Sequence, residues 1–121
     1  MKFILASFLL LSLAACGSIQ RRDHVALVGH WRYQDATQSC DYSFEANGAF
    51  TGQVRHRGKI VSKFAGRWAL KGEALLYTYI SDVFGRIPRG AKDQDQLLEL
   101  KPDSFLIRAA NGDRRRYHRV R

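Results

Sequence analysis

From Leu27 to Arg121, apolar and polar residues alternate with period two, and glycine-bearing turn sequences break the pattern about every 8 to 12 residues. A chain with this pattern is suited to many short antiparallel strands. It predicts eight of them, over residues 28–34, 40–44, 49–57, 59–70, 73–81, 94–101, 104–109 and 114–120. Asn47-Gly48, Lys71-Gly72 and Asn111-Gly112 are dipeptides that supply the positive φ angles of tight hairpins. Pro102-Asp103 presets a further turn. The exception is 80–93, where Gly85, Pro88 and Gly90 mix with Arg86, Arg89 and Lys92 in one long irregular connection. Long loops in small domains often carry function. No stretch shows the period of a long amphipathic helix.

Strand parity then assigns faces. Trp31, Tyr33, Tyr42, Phe44, Phe50, Val54, Ile60, Phe64, Trp68, Leu75, Tyr77, Tyr79, Leu98, Leu100, Phe105 and Ile107 fall on the core side, and Arg55, Arg57, Lys63, Arg67, Glu99 and Arg108 fall on the water side. Eight short strands with one apolar face remove their exposed edges by closing on themselves. The expected fold is all-β, a small eight-stranded antiparallel up-and-down barrel.

The first fifteen residues follow a different rule. Lys2, the apolar run 3–11 and the small residues Ala14-Ala15 have the composition of a secretory signal, too short to span the roughly 30 Å apolar core of a bilayer. Leu13-Ala14-Ala15-Cys16 resembles the lipobox of bacterial lipoproteins. That resemblance implies cleavage before Cys16, diacylglycerol on its sulfur and an acylated new N-terminus, so residues 1–15 are a signal peptide and 16–26 a lipidated cysteine with a polar tether. For a Gram-negative source, Gly17 in place of an aspartate implies the periplasmic face of the outer membrane. Residues 27–121 are left as one domain with one core.

The formal charge is +9, of which Lys2 contributes one. Such a balance ordinarily suggests nucleic acid. Export argues against that partner, because an envelope offers anionic lipid and glycan phosphate instead. With Cys16 acylated, Cys40 is the remaining thiol and cannot form an internal disulfide. Its parity with Tyr42 and Phe44 places it inside as a small hydrophobe.

Gly29-His30-Trp31, Asn47-Gly48, Gly66-Arg67-Trp68-Ala69-Leu70-Lys71-Gly72 and the closing stretch from Leu100 to Arg119 together resemble the lipocalin-like domains of small bacterial lipoproteins. The resemblance implies that Trp31 lies near the closed end of the barrel, with Arg119 from the last strand packed across it. An eight-stranded barrel is either filled by its own side chains or holds one small ligand. In the second case Tyr77 and Tyr79, with apolar rings and polar tips, are the wall candidates.

Chemistry-bearing motifs are few. His30, His56 and His118 stand on separate strands among arginines, no metal-ligand spacing, nucleophile motif or cofactor-binding motif is present, and Asp93-Gln94-Asp95 lacks the rest of a calcium loop and reads as solvated. The expectation is a protein without cofactor, metal or catalytic residues. The remaining feature is the basic end of the chain. Arg114, Arg115 and Arg116, extended by Arg86 and Arg89, are candidates for binding an anionic lipid, lipopolysaccharide or an acidic protein. The same charges also protect a last strand from edge pairing. A protein-interaction module and a carrier of a small apolar molecule are the alternatives.

Overall fold

Each tight-turn dipeptide of the sequence closes a hairpin in the computed structural model, which describes residues 22–121. The strands are β1 (Gly29–Gln34), β2 (Gln38–Phe44), β3 (Ala49–His56), β4 (Lys59–Lys71), β5 (Ala74–Asp82), β6 (Lys92–Leu100), β7 (Ser104–Arg108) and β8 (Arg114–Arg119). All neighbours are antiparallel, and β8 returns to β1 to close an up-and-down barrel in sequence order. Gly48, at φ +91°, takes the left-handed conformation that its hairpin requires. The signal segment 1–15, Cys16 and residues 17–21 lie outside the described residues.

One end of the barrel carries the β2–β3, β4–β5 and β6–β7 turns; the other carries the β1–β2, β3–β4 and β7–β8 turns and the long loop 83–91. The first end is sealed. Residues 22–27, whose first part was expected to belong to the tether, form a helical turn there. Leu27 is fully buried, and His24 stacks on Trp68 with ring centroids 4.4 Å apart. The turn stops at Gly29, whose φ of +137° redirects the chain into β1. Hydrophobic anchoring at Leu27 overrides the polar composition of this short segment.

The core runs from Leu27 and Trp31 through Phe44, Phe50, Trp68, Leu70, Leu75, Phe105 and Ile107 to Phe64, Tyr77, Tyr79 and Tyr117. Cys40 is buried among them as a free thiol. Ring centroids 4.8–6.5 Å apart link Trp31, Phe105, Phe44, Phe50, Tyr42, Tyr77 and Tyr117 into one aromatic cluster. The sealed half is therefore filled by its own side chains.

Two of the expected core positions are wrong for one reason. The ladder shifts register between Val54 and Arg55, between Ala65 and Gly66, and between Leu97 and Glu99. Each bulge inserts a residue and reverses the parity beyond it. Ile60 ends 38% exposed, and Leu98 gives its place to Leu97, which packs against the core with Leu100. Leu70 and Tyr117 were missed as core members.

Candidate functional site

The unsealed end has a different interior. Tyr42 points inward, within 5.6–6.2 Å of the rings of Phe44, Phe50, Phe64, Tyr77 and Tyr117, yet it stays partly exposed. Tyr33, Val54, Asp95, Leu97 and Arg115 are partly exposed as well. Strand β2 is paired on both sides and the far end is closed by fully buried Leu27 and Trp31, so water reaches Tyr42 from the unsealed end. The result is an open cup above an aromatic floor.

Its walls are polar. Asp93 and Asp95 are opposite inward-facing Tyr77 and Leu75, and they share the parity of Leu97. Tyr77 donates its hydroxyl proton to Asp95 at 3.0 Å. Burial pushes the Asp95 carboxyl up to about 6; the Tyr77 hydrogen bond opposes this, Asp93 adds to it, and Arg115 opposes it. Burial also raises the Tyr77 and Tyr117 phenols well above their ordinary value and Tyr79 to about 12, keeping all three as neutral donors. Cys40, beside Tyr42 and Tyr117, is likewise raised by burial and remains a thiol. Among the described residues no buried polar side-chain atom lacks a partner.

The C-terminal arginines do not form one stripe. Arg115 turns inward and lies 5.8 Å from the Tyr33 ring centre, while Arg114 is exposed. Arg116 pairs with Glu99 at 2.8 Å, and Lys101 and Arg116 together hold the Glu99 carboxyl down to about 2. Arg121 pairs with Asp103. Arg119 stands 4.2 Å over the Trp31 ring, as the resemblance implied, and donates to the carbonyls of Pro102, Val28 and Ala26 at 2.9–3.0 Å. This end of the chain therefore mostly holds the barrel shut.

Other cations gather around the cup. Arg57 and Lys59 flank the β3–β4 turn, Arg86 and Arg89 lie on the long loop, and Arg108 and Arg114 bracket the β7–β8 turn. All six are exposed, and none has an ion pair among the described residues. Tyr77 and Tyr79 are 3% and 8% exposed, so Tyr77 supports the cup wall through Asp95 and Tyr79 lies closer to the opening. His56 sits at the open end and His30 and His118 at the sealed one, and no three metal-type ligands converge among the described residues. Asp95 was missed as a site residue, and Arg115, expected in a surface stripe, turns into the cup instead. The parity of Arg115 with Tyr117 was the available signal, whereas the bulge at Leu98 hid that of Asp95.

Among solved structures the chain is similar to a lipocalin-like protein from Bacteroides uniformis ATCC 8492. The two share 22% sequence identity and a TM-score of 0.56, over 78% of this chain and 99% of that one. The fold is lipocalin-like. No protein-family model matches the chain, and no curated protein matches it in sequence. In this lipocalin-like barrel Trp31 and Arg119 form the floor, and the cup with its cationic rim forms the mouth.

Proposed function

We propose that the protein is a lipid-anchored envelope lipoprotein that acts by binding rather than catalysis, and that its mouth takes an anionic envelope component. The observation that carries this reading is the rim: Arg57, Lys59, Arg86, Arg89, Arg108 and Arg114 carry no ion pair among the described residues, whereas Arg116, Arg119 and Arg121 have partners within the fold. Guanidinium groups pair bidentately with phosphate, so a ring of them favours phosphorylated or carboxylated ligands. Cleavage and acylation at Cys16 would hold the molecule at the periplasmic face of the outer membrane, because two or three acyl chains anchor durably where one does not.

Binding to vesicles and to lipopolysaccharide, measured for the chain from Gly17 onward, tests it. That chain contains the whole closed barrel. The expected result is binding to anionic but not neutral surfaces that weakens with salt and drops about tenfold when Arg86, Arg89 and Arg114 become Ser. Equal, salt-insensitive binding to both surfaces removes the reading. A second reading, a carrier of a small amphipathic molecule, is favoured by the partly exposed Tyr42 inside the cup. It requires a ligand that copurifies and is released on unfolding.

A further inference from the structure

Six large apolar side chains are exposed among the described residues, and four of them, Ile60, Ile80, Val83 and Phe84, belong to one corner of the open end. Val83 donates its backbone N–H to Lys63 of β4 at 2.9 Å, so the start of the long loop continues alongside the β4 segment that carries Ile60. Val83 is 74% exposed and Phe84 46%. Their exposure does not come from a slack loop. The Asp82 carboxylate accepts backbone N–H bonds from Phe84, Arg86 and Ile87 at 2.7–3.2 Å, Gly85 donates to the Asp82 carbonyl at 3.1 Å, and Ile87 packs on the core.

Cations outnumber acids around this knuckle. Arg55 lies opposite Ile60, Lys63 beside Val83, and Arg86 over the Phe84 ring at 5.9 Å. The local acid, Asp82, is occupied by backbone donors. A rigid apolar tip set among cations matches a bilayer with anionic headgroups, where apolar side chains enter the acyl boundary and Lys and Arg meet phosphates. An acidic protein would satisfy the cations but has no general need for a protruding apolar pair.

We propose that the 83–84 knuckle inserts into anionic bilayers and is the lipid-contacting element of the cationic mouth. The inference rests on the anionic-partner reading above and adds depth of insertion to it. The probe is a vesicle of phosphatidylglycerol and phosphatidylcholine, with phosphatidylcholine alone as control, offered to the chain from Gly17 onward carrying Phe84→Trp. The introduced indole is expected to shift to shorter emission wavelength and to be quenched by brominated lipid on the anionic vesicles only. Val83→Ser with Phe84→Ser is expected to lower partitioning about tenfold with an unchanged melting temperature. Salt-sensitive binding with the indole still open to aqueous iodide overturns the insertion but leaves the anionic-partner reading intact. Absence of any salt-sensitive binding to anionic vesicles or lipopolysaccharide overturns both, and capture of an acidic protein without vesicle binding overturns the bilayer in favour of protein docking.

Discussion

Asp95 shows how one side chain couples the cup to pH. Its carboxyl is raised from the ordinary 3.8 to about 6, mainly by burial. The folded state then binds the proton more tightly than the unfolded state, so the contribution of this carboxyl to stability is full below about pH 4, is lost as pH rises to about 6, and is level above that. Taken at full weight the shift is worth up to about 3 kcal/mol, and partial access of water to the carboxyl reduces this to about 1–2 kcal/mol. Asp95→Asn keeps an acceptor for the Tyr77 hydroxyl and removes the charge. It is expected to raise stability at pH 7 by about 1–2 kcal/mol and to flatten the profile between pH 4 and 6. Urea titrations at several pH values measure both effects, and an unchanged slope with pH contradicts the assignment.

Strands and turns were legible because hairpin chemistry is local: Asn47-Gly48 and Asn111-Gly112 mark their own positions. Bulges were not legible, since the extra residue is chosen by how distant strands fit together. Parity across Leu97–Leu98–Glu99 therefore pointed to the wrong leucine and made Asp95 look solvated. The correction predicts unequal costs. Leu97→Ala removes a side chain packed on the core and is expected to cost about 2 kcal/mol, whereas Leu98→Ala, at the unpaired bulge position, costs less than about 1 kcal/mol. Melting temperatures of the two variants decide between the two registers. Arg115 was concealed for another reason: a run of three arginines presents it as part of a surface charge. The short helical turn at 22–27 had too little sequence to show a period, and only the burial of Leu27 reveals it.

For the whole molecule the weak point is the seam. Strands β1 and β8 pair at Trp31↔Arg119 and Arg32↔His118, with the Val120 N–H reaching the His30 carbonyl at 2.8 Å, while β3 and β4 pair along eight positions. Arg119 reinforces this short ladder by tying β8 to the helical turn, to Val28 just before β1 and to the β6–β7 turn. Arg119→Ala loses the contact with Trp31 and three charge-assisted hydrogen bonds, and is expected to cost about 2–3 kcal/mol. Arg121→Ala breaks an exposed pair and costs under about 1 kcal/mol. Hydrogen exchange on the Arg119 variant is expected to accelerate first in β1 and β8. Uniform acceleration across the sheet would mean that the seam is not where the barrel opens. Such long-range closure also places the molecule among slowly folding topologies.

Arg22 and Arg121 line one open surface groove at the sealed end, so the described chain enters and leaves the barrel on the same side. Either terminus can therefore be grafted to a sensor chip or a fusion partner without blocking the mouth. A membrane leash at the N-terminus would likewise attach at the base and leave the mouth unobstructed.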